Sequence, residues 1–238
     1  MPQSRREQKR VRHEAKRKAK RKAAKGQLSA RTRKAMLRAS LAWPVLECWA
    51  NETWQDTSHL TQLLVVRQNP ATGEVYVGLF LVDRGCLGVK NAHTASFMSV
   101  QEFRRTMLAR LRQNIEFVQI DFNLVAKIVQ VGLEYGAQFG FRPHRDFQEA
   151  SILLEDADPD SVDVEISVGG PDGKPLFMSG PYDDVRRIMA RLTNRLGPDG
   201  FTHLIGLDPE GEVFLDDADM VDWGVDDGED IVLTDDLR

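Results

Sequence analysis

The sequence predicts an α+β fold, in which a single domain is built from β-hairpins and packed helices. Val- and Leu-rich runs flank turn residues at three places, and helical patterns separate these runs. Strands joined by tight turns pair antiparallel, whereas a doubly wound parallel sheet needs a helical crossover after each strand. Of the 238 residues, 42% are apolar and 29% charged, which is typical of a globular protein and excludes a fully disordered one.

The net charge of −4 hides a strong asymmetry along the chain. Residues 1–40 contain 16 Lys and Arg against two Glu, and residues 41–150 contain ten basic and eleven acidic side chains. Residues 151–238 contain six basic and 23 acidic side chains. We therefore predict a basic N-terminal arm at 1–40, a globular α+β domain at 41–215 and an acidic C-terminal segment at 216–238.

The basic arm is rich in Ala, Lys, Arg and Glu, which are good helix formers. Its small apolar residues Val11, Ala15, Ala19 and Ala23 recur at four-residue spacing. This stripe is too small to hold a helix on a core, and like charges four residues apart oppose helix formation. We expect an arm that is helical or disordered when free and more ordered against a polyanion.

The composition of the arm suits a phosphate backbone, because it has few acids and no aromatic residue for base stacking. Each Lys or Arg that neutralises a phosphate releases counterions, so many contacts give strong and salt-sensitive binding. The predicted nucleic-acid-binding residues are Arg5, Arg6, Lys9, Arg10, Arg12, Lys16, Arg17, Lys18, Lys20, Arg21, Lys22 and Lys25. The expected partner is nucleic acid, as RNA or the ribosome; alternatively, the arm binds an acidic surface of this chain or of another protein.

The predicted domain begins with a packed segment around two Trp residues, at 41–49. A hairpin follows, in which residues 60–67 and 74–83 are strands and 69–73 form the turn. The second of these strands is apolar on both faces, so we expect it to lie inside a sheet.

Two helices are predicted next. Ser99 and Glu102 make a capping box ahead of apolar residues at helical spacing. Residues 122–139 predict a buried helix, in which Gly132 and Gly136 lie four residues apart and let another element approach closely. A further short helix is expected after Asp146, which with Glu149 repeats the capping spacing.

The alternation of apolar and polar residues over 162–168 predicts a half-buried strand. The Gly- and Pro-rich turn at 170–174 then joins this strand to residues 175–178 in a second hairpin. Both strands would be short.

A helix is predicted from Pro181, a good first helical residue, to Gly197, a good helix end. A third hairpin is expected after it, with strands at 202–207 and 213–215. The acidic C-terminal half is a possible contact for a basic protein partner.

A candidate catalytic site lies where the strand 74–83 ends in Asp83 and a two-glycine turn carries Cys86 and Lys90. Strand ends followed by glycine turns are places where active sites expose side chains. A thiol here would be a nucleophile if Lys90 or a histidine lowered its pKa, with His144 and Asp146 as base and orienting acid. The alternative is structural, since Cys is among the most buried residue types and Asp146 has a role as a helix cap.

No cofactor or metal is expected. The phosphate-loop, paired CxxC, HExxH and GxSxG patterns are absent from the sequence. Cys48 and Cys86 provide neither a disulfide framework nor a zinc site, so a reducing, cytoplasmic environment is the expectation. No window reaches the roughly 18 apolar residues of a membrane-spanning helix, and we expect no membrane association.

Three blocks of the sequence resemble those of an uncharacterised bacterial protein family. The blocks are VGLFLVDRGCLGVKNAH, GFRPHRDF and GKPLFMSGPYDD. Its members share a strand ending in V-D-x-x-C-L-G-V-K and a G-F-x-P-H-x-D-F turn. The resemblance covers roughly residues 60–205 and leaves both charged ends outside it. It implies a bacterial, cytoplasmic protein and raises the interest of the five candidate site residues, but it gives none of them a role.

Three functions remain open at this point. The leading one is a non-enzymatic nucleic-acid-associated protein that binds RNA or the ribosome. The first alternative is a small hydrolase or nuclease that uses the loop of Asp83, Cys86 and Lys90 with His144. The second alternative is a protein-interaction module that acts through the acidic C-terminal half.

Overall fold

The computed structural model describes Thr32 and residues 34–58, 60–180 and 183–204. It confirms the α+β class, with five antiparallel strands in the order β4-β3-β2-β1-β5 and several helices. The strands are β1 (Val45–Asn51), β2 (Thr61–Gln68), β3 (Val75–Asp83), β4 (Gly88–Phe97) and β5 (Phe117–Gln119). The predicted nucleic-acid-binding residues of the arm lie outside the described residues, as do Pro181 and residues 205–238.

The predicted hairpin is formed by β2 and β3, which pair in register from Thr61 with Val82 to Gln68 with Val75. The turn closes because the Asn69 side chain accepts a hydrogen bond from the Ala71 amide, and because Gly73 takes a positive φ of 78°. As expected, β3 lies inside the sheet, between β2 and β4.

The helical elements follow the strands in a simple order. Residues 34–40 form α1. The others are α2 (Val100–Phe103), a π-helical turn (Arg104–Leu108), α3 (Ala109–Leu111), α4 (Phe122–Gln138), α5 (Phe147–Ala150), 3-10 turns (Ser151–Leu154 and Pro159–Ser161) and α6 (Val185–Leu196).

The two faces of the main sheet are covered by different helices. On one face, α4 buries Val125 and Ile128 against a core that includes Phe80. On the other face, the helical run from α2 to α3 buries Phe103 and Met107. The main sheet is therefore the middle of three layers.

The predicted capping box opens α2. The Glu102 amide donates to the Ser99 hydroxyl at 3.2 Å, and the Glu102 carboxylate accepts from the Met98 amide at 2.7 Å. The predicted close approach to α4 is also present. A Cβ on Gly132 would lie 2.4 Å from the side chain of Val82, and one on Gly136 would lie 2.9 Å from the Gly88 amide nitrogen.

The folded part of the chain takes in residues before position 41. In α1, Leu37 is fully buried and belongs to a small cluster with Tyr76 and Leu153. Helix α1 therefore packs onto the domain, although its sequence belongs to the basic stretch.

The predicted strand at 162–168 is not present, although Ile166 is buried as its alternation suggests. Side chains rather than a neighbouring strand bind its main-chain carbonyl groups. The Arg84 guanidinium donates to the Ser167 carbonyl at 2.9 Å, and the Lys127 ammonium donates to the Val162 carbonyl. Of the alternating apolar residues, Ile166 is buried, Val162 and Val168 are half-buried and Val164 is exposed, so the alternation corresponds neither to sheet pairing nor to one buried side.

The predicted second hairpin is also wrong. Its turn does form, since the Gly170 amide donates to the Lys174 carbonyl at 2.6 Å. However, β6 (Leu176–Met178) pairs in parallel with β7 (Thr202–Leu204), and α6 is the crossover between them. A parallel pair needs such a long connection, so the helix predicted between two hairpins instead joins two neighbouring strands. The second strand of the predicted third hairpin lies outside the described residues.

Within the described part of the chain, the helices are too short or too polar to cross a bilayer.

Candidate functional site

The candidate loop begins with a buried acid at the end of β3. Asp83 is 5% exposed, and its carboxylate accepts a hydrogen bond from the Cys86 amide at 2.9 Å. The turn is held against β6, because the Leu176 amide donates to the Gly85 carbonyl at 3.0 Å. A Cβ on Gly85 would lie 2.4 Å from the Leu176 carbonyl oxygen, which explains the glycine.

Burial governs the chemistry of Asp83. It raises the pKa of this carboxyl above its ordinary value of 3.8, while the nearby Lys90 and the amides of Cys86 and Leu87 lower it. The carboxyl group thus has a structural task, which is to hold the turn that follows β3.

Cys86 is fully buried in an apolar cluster that includes Phe139, Phe177 and Leu192. Burial raises the pKa of its thiol well above 9.0, and the Asp83 carboxyl raises it further. A nucleophilic cysteine needs an accessible site and a lowered pKa. The surroundings of Cys86 therefore favour the structural interpretation of this residue.

Lys90 makes the most specific contact in the region. Its ammonium nitrogen lies 2.7 Å from the Asp183 carboxylate, and the two side chains are only 10% and 6% exposed. The same carboxylate oxygen accepts from the Gly180 amide at 2.7 Å. This ion pair joins the start of β4 to the segment that leads into α6.

Asp183 is the site residue that sequence reasoning did not identify. The usable signal was the Asp-Asp pair ahead of α6, since a helix needs only one N-cap. Asp184 is that cap and accepts from the Arg187 amide at 3.0 Å. Asp183 is not needed as the cap, and its carboxylate pairs with Lys90 instead.

His144 and Asp146 form a second pair. The His144 amide donates to the Val89 carbonyl at 3.0 Å, which attaches this turn to β4 beside Lys90. The His144 Nδ1 accepts from the Asp146 amide at 3.3 Å, and the two side chains approach to 3.9 Å. The side chain of Asp146 makes no capping hydrogen bond to α5, contrary to its predicted role.

The structure thus brings Asp83, Cys86 and Lys90 together and adds Asp183 to them. The pair of His144 and Asp146 is attached to Val89, the residue before Lys90 on β4. Among the described residues, no three His, Cys, Asp or Glu side chains are grouped as they would be around a metal ion. The cluster is a buried junction between the main sheet and the unit of β6, α6 and β7.

A separate candidate interface lies on α6, whose sequence VRRIMARLTNRL contains four Arg and no acidic residue. Arg187, Arg191 and Arg195 recur at four-residue spacing and follow one side of the helix. Arg187 and Arg195 are exposed, and Arg191 donates to the Gly140 carbonyl at 2.7 Å. We name these three residues the α6 stripe.

The contact from Arg191 to Gly140 places the α6 stripe beside the turn that carries two more exposed basic residues, Arg142 and Arg145. Arg142 extends the positive surface from the helix onto the loop that leads into α5, whereas Arg145 lies 3.5 Å from the Asp146 carboxylate. The net charge of residues 151–238 does not reveal this stripe, because 23 acidic side chains outweigh the six basic ones.

Two basic side chains of the run from α2 to α3 make structural contacts. Arg104 forms an ion pair with the buried Glu47 at 2.7 Å, and Arg112 lies over the Trp49 ring at 4.7 Å from its centroid. These contacts fix the helices onto the sheet, whereas Arg105 of the same run is exposed, as Arg187 and Arg195 are.

Comparisons with known proteins add no assignment. No protein-family model matches the chain, no curated protein matches it, and no solved structure matches it.

Proposed function

We propose that this protein is a non-enzymatic nucleic-acid-binding protein of the cytoplasm, with RNA or the ribosome as its target. The α6 stripe is the observation that carries the proposal. It gives the folded domain a phosphate-binding surface of its own, in addition to the Lys and Arg side chains of the basic arm.

The geometry of the α6 stripe suits a phosphate backbone. At a rise of about 1.5 Å per residue, Arg187 and Arg195 are separated by about 12 Å along the helix axis. The planar guanidinium group binds phosphate oxygens with two parallel hydrogen bonds. No aromatic residue interrupts α6 or the basic arm, so the expected binding depends on backbone charge more than on base identity.

The hydrolase or nuclease alternative receives less support from the same structure. Its nucleophile Cys86 is fully buried with a raised pKa, and the ammonium group of Lys90 is engaged by Asp183. Both observations fit a structural junction. The two free cysteines also suit the reducing cytoplasm that we propose as the location.

Binding of labelled single-stranded RNA, measured by fluorescence anisotropy over a series of salt concentrations, tests the proposal. Deleting residues 1–26 is expected to weaken binding sharply. The double variant Arg187→Gln and Arg195→Gln should lower the slope of log affinity against log salt by about 0.7 for each lost phosphate contact.

A control is Arg105→Gln with Arg110→Gln, which removes the same charge from the helical run on the face of the main sheet opposite α4. This pair should change binding much less than the α6 pair. Binding that survives both the deletion and high salt would overturn the proposal, and so would equal losses in the two double variants combined with no effect of the deletion.

A further inference from the structure

An open apolar groove runs between α4 and the segment 147–159. Its volume is about 370 Å³. The floor consists of apolar side chains, among them Val129, Leu133, Phe147 and Leu154. Leu133, Phe147 and Leu154 are only half-buried, so the described residues leave apolar surface uncovered here.

The rim of this groove is acidic. Residues 155–165 contain six Asp and Glu and no basic residue, and all six are exposed. Asp158 and Asp160 flank Pro159, which lines the groove, and Glu134 lies on the opposite wall. A suitable occupant would have small apolar side chains for the floor and a high positive charge for the rim.

Residues 1–31 of the same chain have this composition. They contain 13 Lys and Arg against two Glu, together with the small apolar stripe of Val11, Ala15, Ala19 and Ala23. The basic surroundings of this stripe complement the acidic rim, and its short side chains suit a shallow groove.

The place where these residues join the domain also favours the groove as their binding site. They precede α1, whose Leu37 packs against Leu153. The next residue, Leu154, lines the groove. A chain extends by up to about 3.3 to 3.6 Å per residue, so the ten residues between Ala23 and Lys34 can span up to about 36 Å.

We propose that residues 1–31 dock within their own chain, in the acidic-rimmed groove between α4 and residues 147–159. This docking does not depend on the proposed nucleic-acid binding. If both occur, the groove and the polyanion compete for the same Lys and Arg side chains, and bound nucleic acid releases the arm from the groove.

Photo-crosslinking of the full-length protein without nucleic acid tests the docking. A photoreactive benzoylphenylalanine replaces Lys20, next to the apolar stripe and not part of it, and the crosslinked peptides are identified by mass spectrometry. We expect crosslinks to residues 126–134 and 151–159. The charge reversal Asp158→Lys with Asp160→Lys should reduce them by about tenfold or more, because like charges then face each other.

The matched control is Glu52→Lys with Asp199→Lys, which makes the same change of charge at exposed positions elsewhere, and it should leave the crosslinks in place. Circular dichroism verifies that both variants are folded. A mixture of isotopically heavy and light protein distinguishes crosslinks within one chain from crosslinks between two copies.

Crosslinks within one chain that disappear on charge reversal support the proposal. Crosslinks between heavy and light chains would place the arm on a second copy and overturn it. The absence of crosslinks to the groove, or crosslinks unaffected by the reversal, would also overturn it. None of these outcomes bears on RNA affinity, so this proposal and the proposed function fail separately.

Discussion

Individual buried charges organise this protein. The guanidinium of Arg84 is fully buried and donates to the Thr61 hydroxyl at 3.2 Å, the Ser167 carbonyl at 2.9 Å and the Trp54 carbonyl. Arg67 is 1% exposed and binds the Leu153 carbonyl at 3.0 Å. Both Arg side chains have several donors, and some of these satisfy carbonyl groups of segments that have no strand partner there.

The pKa of Asp83 predicts a pH dependence of stability. Because burial raises this pKa above 3.8, the native protein holds the proton at pH values where the unfolded chain has released it. This contribution to stability is full below about pH 4 and decreases as the pH rises through the native pKa. In Asp83→Asn the decrease is absent, so its unfolding free energy relative to the wild type should increase from pH 4 to pH 7 in urea titrations.

Asp172→Asn provides a control of opposite sign. The pKa of Asp172 is lowered, first by the hydrogen bond from the Lys174 amide and then by the Thr202 hydroxyl. Its contribution to stability is therefore lost as the pH falls. Equal slopes for wild type and Asp83→Asn would contradict the prediction.

The two thiols are expected to be inert in the native protein. Burial raises the pKa of Cys48 from 9.0 to about 12 and that of Cys86 well above 9.0. A disulfide reagent at pH 8 should modify both only after urea is added. Stability should also decline above pH 9, where only the unfolded thiols lose their protons. Rapid modification of Cys86 in the folded protein would contradict this prediction and would support a role of Cys86 as a nucleophile.

Elements with long, regular patterns were predictable, and short ones were not. The hairpin of β2 and β3, the capping box at Ser99 and helix α4 follow directly from turn chemistry and periodicity. The three-residue strands β6 and β7 carry no period of their own, and the turn at 170–174 resembles a hairpin turn. Their pairing is set by tertiary packing, which a local pattern does not contain.

Helix α4 offers a sharp test of packing at the element scale. Ala is a better helix former than Gly by about 1 kcal/mol. A Cβ on Gly136 would nevertheless lie 3.0 Å from the Gly88 Cα and 2.9 Å from its amide nitrogen, and backbone atoms cannot move aside cheaply. We expect Gly136→Ala to lower the unfolding free energy by about 2 kcal/mol.

Urea unfolding measures this loss, and Gln138→Ala, at an exposed position of the same helix, is the control with little expected effect. A Gly136→Ala variant as stable as the wild type would mean that β4 approaches α4 less closely than the structure indicates.

Across the whole molecule, the candidate site was predictable in part. The convergence of Asp83, Cys86 and Lys90 followed from their closeness in sequence, since they lie at the end of β3, in the turn after it and at the start of β4. Asp183, 93 residues away from Lys90, required the tertiary fold. The α6 stripe is recognised only when the charge of α6 is counted separately, because the net charge of residues 151–238 is strongly negative.

The Lys90–Asp183 ion pair is expected to couple the main sheet to the unit of β6, α6 and β7. Removing one partner leaves a buried, unpaired charge, so Lys90→Met should lower the unfolding free energy by about 3 kcal/mol. Asp183→Asn keeps an acceptor for the Gly180 amide. A double-mutant cycle by urea denaturation should give a coupling energy of about 1 to 3 kcal/mol. Additive losses would contradict the coupling.

The same ion pair has a consequence for how the chain reaches its native state. Strands β1 to β4 pair with their neighbours in sequence, which are contacts of short chain separation. The Lys90–Asp183 contact spans 93 residues and requires both partners to be in place. Contacts between distant residues are slow to form because the intervening loop must first close. We therefore expect the four-stranded meander to assemble early and the α6 unit to dock onto it late.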